Sequence, residues 1–478
     1  MHWPCVLAVA SVAILVFCLA GGPAAIPFPA PAAGALNVST VAVGSAPTAL
    51  VYDSGNRYVY VANTNSSTVS VIDGTAVVAT IPVGSGPTAL AYDPANGYVY
   101  VSNTNSSTVS AISGTVVVGT AKVGPAPTAL AFDPSNGYVY VADTDAQGGG
   151  HLLDNVTVLS GVSVVATITV GYFPSSVLYD PANGYVYVAV GGSGSVVEIS
   201  GTSVIGTTMK LNSPGALCFN PSNNAVYVAN FGSGVVSEIV GTALTANITV
   251  GVDPAALAYD TTNNYVDVVY FDSSSASVIL GSKVVANVTL GLFPSALAYG
   301  ASDGKMYVAD ANPAASIGTI WQVAGTTLSG NLTVGAEPKP LGPQHMTYDP
   351  SNGDVYVANV ASGNVLAIQT GPPVSSTTTT STVTSTSSKA TTSTSSRTTT
   401  STSTTSPTSS VTMSTQTTTT SVVTTSTPTG QPSSGLTPID TFAVAALALA
   451  GVLLVLTALL LRRKRGTGRA PGPSGPTP

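Results

Sequence analysis

The densest set of groups able to do chemistry lies in one short segment, Asp143-Thr144-Asp145-Ala146-Gln147-Gly148-Gly149-Gly150-His151-Leu152-Leu153-Asp154-Asn155. Asp143, Asp145 and Asp154 stand on a Gly-rich stretch and could lend carboxylate oxygens to Ca²⁺, a hard cation that takes roughly six to eight such ligands. Their spacing is not that of an EF-hand, and Asp also serves as an ordinary turn former. The second available chemistry is stacking. Tyr172, Phe173, Phe231, Tyr270, Phe271 and Phe293, with His151, could hold a sugar or a peptide, or pack between structural units. Catalysis has little support. His151 and His345 are the only histidines beyond the first few residues, and neither has a nucleophile partner in sequence. Neither CxxC nor HExxH occurs, so the chain reads as a non-enzyme. Glu198 and Glu238 occupy the same point of two adjacent repeat units and are expected to face solvent.

These residues are positioned by a repeat. The aromatic before a recurring turn stands at Tyr52, Tyr92, Phe132, Tyr179, Phe219, Tyr259, Tyr299 and Tyr348, with gaps of 40, 40, 47, 40, 40, 40 and 49. Each copy holds four short runs rich in Val, Ile, Thr, Tyr and Ala, separated by Gly, Pro, Asn and Asp. In the second copy these are Ala89 to Tyr92, Tyr98 to Ser102, Thr108 to Ile112 and Val116 to Val123. The turn Asp93-Pro94-Ala95-Asn96-Gly97 combines a fixed φ at Pro, a side chain that bonds ahead, and residues that tolerate positive φ. A period near forty built from four strands signals a β-propeller.

The runs Tyr58-Val59-Tyr60-Val61-Ala62-Asn63-Thr64-Asn65-Ser66-Ser67-Thr68-Val69-Ser70-Val71-Ile72-Asp73 and Tyr98-Val99-Tyr100-Val101-Ser102-Asn103-Thr104-Asn105-Ser106-Ser107-Thr108-Val109-Ser110 resemble the YVTN family of β-propeller repeats. The likeness covers residues 36–371. It implies an extracytoplasmic protein, archaeal and surface-layer-like, with a binding or structural role. Later copies drift, as in Tyr265-Val266-Asp267-Val268-Val269-Tyr270.

The last copy stops after a third strand at Asn364 to Gln369, and an unattached strand-like run, 36–44, precedes the first copy. That run is expected to complete the last blade and close an all-β, eight-bladed ring, or a seven-bladed one if a drifted copy is not a blade. Loops joining second and third strands share a face with the links between blades. The extensions near 143–155, 312–318 and 339–344 all fall on that face, which makes it the better site candidate.

Outside the propeller the composition changes. Residues 1–25 carry an apolar run and small residues suited to a signal peptide. Cys218 is then the sole cysteine of the mature chain and is expected as a small buried hydrophobe. Residues 375–438 are almost wholly Ser and Thr, a stalk unable to bury a core. Residues 441–461 carry no charge and suffice to span a bilayer once. The basic tail, 462–478, places the C-terminus in the cytoplasm and the propeller outside. From 36 to 374 there are six basic and nineteen acidic residues, a balance unsuited to nucleic acid.

Seven N-x-S/T sequons (Asn37, Asn65, Asn105, Asn155, Asn247, Asn287, Asn331) lie on the outer side of this topology and mark the chain as a candidate glycoprotein. The expected function is a cell-surface binding or adhesion module held in the cell membrane by a single span, with a surface glycan, peptide or protein as ligand. A structural surface-layer component and an extracytoplasmic hydrolase or lyase are the alternatives. No cofactor is expected beyond the possible Ca²⁺.

Overall fold

The computed structural model describes residues 36–144, 154–271, 273–310, 318–334, 343–360 and 362–370. The signal, stalk, span and tail expected at 1–25, 375–438, 441–461 and 462–478 lie outside the described residues, as do Asp145 and His151. Compactness divides the chain at residue 374, and the described residues all belong to the first unit.

The described residues of that unit form eight four-stranded antiparallel sheets. Blade 2 shows the plan, with strands Pro87–Asp93, Tyr98–Asn103, Thr108–Ser113 and Val116–Lys122 in sequential order. The first strands of successive blades contact one another around a closed circuit, so they form the inner wall and the fourth strands the rim. Val38–Ala42 pairs with Asn364–Gln369, in the register Val38↔Ile368 to Ala42↔Asn364, and completes blade 8. The ring therefore has eight blades and closes as the unmatched terminal strands implied.

The repeat motif has a local reason at each position. In Asp-Pro-x-Asn-Gly-Tyr-Val-Tyr the Asp accepts from the backbone two residues on, as Asp93 does from the Ala95 N–H at 2.8 Å. The Asn then works at both ends: Asn183 Oδ1 accepts the Tyr185 N–H at 2.8 Å, and its Nδ2 donates to the Tyr187 hydroxyl at 2.9 Å. That hydroxyl donates across the seam to the Gly241 carbonyl of the next blade's outer turn, at 2.7 Å. The same bond runs from Tyr60 to Gly114, Tyr140 to Gly201, Tyr227 to Gly281 and Tyr356 to Gly74. These tyrosines are fully buried, and burial pushes the Tyr187 phenol up to about 12. Five seams among the described residues are thus each stitched by one buried hydroxyl with a donor and an acceptor. Tyr187→Phe leaves both partners unsatisfied and should cost about 1–3 kcal/mol in chemical denaturation. An unchanged denaturation midpoint would mean the stitch contributes nothing.

Blades sandwich one another, so the middle strands are buried on both faces. The third strands Ser195–Ser200 and Val235–Val240 carry Glu198 and Glu238, both buried rather than facing solvent as expected. Cys218 is buried, and burial pushes its thiol up to about 12, which keeps it an inert core residue.

Candidate functional site

The links between blades end in a residue that precedes the next blade's proline and has positive φ. Ala46, Gly86, Ala126, Ser213 and Asp253 fill this place in five links, where the small or polar side chain tolerates the conformation. In two links it is a phenylalanine, Phe173 (φ 58) and Phe293 (φ 61). A bulky residue there is strained, and strain retained in a loop calls for a compensating role.

The loops between second and third strands show a parallel departure. In blades 1 to 3 the first loop residue is a Thr whose Oγ1 donates to the next blade's proline carbonyl: Thr64 to Pro87 at 2.7 Å, Thr104 to Pro127 at 2.7 Å, Thr144 to Pro174 at 2.9 Å. In blades 5 and 6 that place belongs to Phe231 and Phe271. Their backbone N–H groups still donate to the preceding link, at Ser213 and Asp253, but the hydroxyl staple is gone.

The replaced side chains meet. Phe231 and Phe271 have ring centroids 6.3 Å apart, and Phe271 and Phe293 are 6.0 Å apart near edge-to-face. Phe231 is 37% exposed, and the links on the same face also expose Val252 (65%) and Leu292 (49%). Together they make an apolar ridge over blades 5, 6 and 7. Over blades 1 and 2 the same loops present Ser45, Thr64, Ser85 and Thr104.

The other expected site residues are placed differently. Phe173 is buried, packs against Tyr172 with ring centroids 4.1 Å apart and the planes tilted by 59°, and donates its N–H to Asp154 Oδ2 at 2.9 Å. Phe173 thus takes the packing role, one of the two uses expected for these aromatics. Tyr172 remains partly exposed and packs over Gly192, where an added Cβ would sit 2.7 Å from the ring and from the Tyr172 carbonyl. Tyr270 is buried and donates to Ser277, so it too packs.

Asp143 and Asp154 are both buried. Asp143 Oδ2 accepts the Thr157 hydroxyl at 2.5 Å, and burial is the main cause that pushes its carboxyl up to about 7. Two described carboxylates supply fewer oxygens than Ca²⁺ takes, and among the described residues no three candidate ligands converge.

His345 stands on the inner wall, where the other seven first strands have Ala49, Ala89, Ala129, Ser176, Ala216, Ala256 and Ala296. Its Nδ1 accepts the Leu50 N–H at 3.3 Å across the closing seam, which leaves the proton on Nε2. Desolvation by the surrounding protein lowers its pKa. The bond joins His345 to a backbone amide and not to a nucleophile.

The sequons divide by the state of Nδ2. Asn37 Nδ2 donates to Gln369 Oε1 at 3.1 Å within the closing seam. Asn247 and Asn287 are exposed and use only Oδ1, accepting from Ser237 at 2.7 Å and Ser277 at 2.5 Å. Asn65 and Asn105 are exposed in loops, and Asn155 and Asn331 are partly exposed on strands.

No family and no curated protein matches this sequence. The described fold is similar to solved structures. The C-terminal WD40 domain of Sif2 aligns with a TM-score of 0.57 at 10% identity, over 70% of this chain and 99% of that one. Virginiamycin B lyase from Staphylococcus aureus aligns at 0.48 and 8% identity, over 70% and 99%. Kuenenia stuttgartiensis hydrazine synthase aligns at 0.46 and 17%, over 68% and 96%. At these identities the WD40 likeness bears on fold alone, and the chain is a β-propeller of WD40-like architecture.

Proposed function

We propose that this protein is a cell-surface binding module whose loop face engages a partner through the Phe231–Phe271–Phe293 ridge. One observation carries the reading: three aromatics touch in a row where the repeat elsewhere places a stapling Thr or a small residue, and one of them holds a strained backbone. Exposed aromatics flanked by aliphatic side chains are the usual anchor of a binding patch. The ridge is hydrocarbon throughout, which suits an apolar protein or peptide surface better than a sugar.

Chain direction supports an outward display. The described chain ends at Thr370, whose Oγ1 donates to the Gly353 carbonyl at 2.5 Å, in the turn between first and second strands of blade 8. That turn lies on the face opposite the ridge. The last described residue thus lies on the face opposite the ridge and leaves the ridge uncovered by the strand that ends there.

A peptide and glycan array probed with fragment 36–374 tests the reading. Phe271→Ala should weaken the captured interaction at least about tenfold while the melting temperature stays within about 2 °C. Capture that survives Phe231→Ala, Phe271→Ala and Phe293→Ala together would place the site elsewhere. Sedimentation of the fragment as sheets or large oligomers, lost in the same variants, would instead support the surface-layer alternative.

A further inference from the structure

The seam between blades 6 and 7 lacks its stitch. Where blades 1, 3, 4, 5 and 8 reach across with a tyrosine, blade 6 has Asp267, too short to meet the Gly325 carbonyl of the next outer turn. Residues following that turn border a groove of about 280 Å³ at the rim, lined by Asn287, Val288, Leu290, Trp321, Thr327 and Leu328. Trp321 is partly exposed and lies where other third strands place Ser70, Ser110, Ser237 or Ser277. Its Nε1–H lies 3.5 Å from Asp310 Oδ2.

The groove thus offers one indole, aliphatic walls and Thr hydroxyls. That mixture suits a sugar ring, which has an apolar face and a hydroxylated edge. The candidate attachment point is part of the lining. Asn287-Val288-Thr289 is a sequon, Asn287 is exposed, and its Oδ1 is occupied by Ser277 while Nδ2 stands free among the described residues.

We propose that Asn287 carries an N-linked glycan whose inner sugar rings lie in this groove against Trp321. The modification forms the Nδ2–C1 bond and breaks the C1–O bond to an activated sugar-phosphate donor. The phosphate departs and one Nδ2 proton passes to solvent. The glycan closes the seam that Asp267 leaves unstitched. This rests on the outward placement of the propeller, because the donor and its transferase act on that side.

Trp3 and Trp321 are the only tryptophans, so full-length Trp3→Phe protein reports Trp321 alone. It is purified from membranes of the producing cell, its sequon peptides are mapped by mass spectrometry, and its fluorescence is quenched with acrylamide. The Asn287 peptide should carry a glycan. Asn287→Gln and Thr289→Ala, each of which removes the sequon, should raise the quenching constant about twofold and shift emission to the red. Asn247→Gln should change neither.

An unmodified Asn287 beside modified Asn65, Asn105 or Asn247 overturns the proposal and leaves the outward placement standing. Unchanged quenching after the glycan is lost overturns it too, since the sugar then lies elsewhere. If no sequon is modified the proposal also falls. Single cysteines at 389 and 467, labelled from outside the cell, then show whether the placement falls with it.

Discussion

Removing residues 36–43 will lower the melting temperature of the propeller by about 10 °C or more, and will drive the opened protein to aggregate. The segment supplies the whole fourth strand of blade 8, five paired residues from Val38↔Ile368 to Ala42↔Asn364, and buries Val41 in the seam between the last and first blades. Without it the strand Asn364–Gln369 becomes a free edge that can pair with another copy. The register allows a sharper version. Val43 donates its N–H to the Gly363 carbonyl and Gln369 donates to the Asn37 carbonyl, so the bonded positions of this strand alternate as 37, 39, 41 and 43. Ser39→Pro deletes a ladder donor, whereas Thr40→Pro removes an N–H that points to solvent. Differential scanning should show a fall of several degrees for the first and about none for the second. Equal melting temperatures for the two, or none lost in the deletion, would mean the ring does not depend on this closure.

Closure was legible in the sequence because it is a matter of counting: one copy short of a strand at the end, one strand without a copy at the start. The four-strand plan was equally legible, since each turn is closed by residues at most a few positions apart, as Asp93 and Ala95 show. The seam stitch was not. The tyrosine repeats visibly, but its acceptor is a carbonyl 54 residues away in the next blade, as for Tyr187 and Gly241, and nothing local marks that carbonyl. Glu198 misled for a related reason. Polar residues on an edge strand normally face water, but a third strand here is covered by a blade on each side, so alternation carries no inside and outside.

The site was legible in outline. Its face followed from loop lengths, and Phe231, Phe271 and Phe293 were marked as departures from the repeat. That they touch one another depends on three loops of three different units converging, which spacing alone does not reveal. Phe173 shows the limit from the other side: the same residue type at the equivalent link is buried, because its neighbours are Tyr172 and Gly192 rather than a facing aromatic. The departures cluster. Asp267, Phe271, Phe293 and Trp321 all belong to blades 6 and 7 or the link between them, where the stitch and the staple are both abandoned. In a ring of near-identical units, positions that give up a stabilising bond are the ones where something other than stability has set the residue.

Acidification from pH 9 to pH 6 will raise the melting temperature by on the order of 5–10 °C. Asp143, Glu198 and Asp267 are buried, and desolvation is the first cause that pushes them up to about 7, about 7 and about 8. Among the described residues neither Asp143 Oδ1 nor Glu198 Oε2 has a partner, and the one ion pair there is Lys305 with Asp303 at 3.0 Å. The folded chain therefore holds protons that the unfolded chain releases above its ordinary carboxylate range near 4. Their stabilisation is complete below that range and is lost as pH rises through about 7 to 8. His345 acts in the opposite direction, because its lowered pKa favours the neutral ring, but its effect grows only as pH falls towards and below its ordinary value near 6.5, so the carboxylates dominate most of the window from 9 to 6. Glu198→Gln separates cause from coincidence. Blade 7 places Gln322 at the equivalent buried position, so the amide has a precedent within the same ring. The variant should melt higher than the parent at pH 9, by a smaller margin at pH 6, and reduce the slope between them by about one proton's worth. A parent that melts lower at pH 6 than at pH 9, or a Gln variant that keeps the full slope, would show that these carboxylates ionise freely in the folded ring.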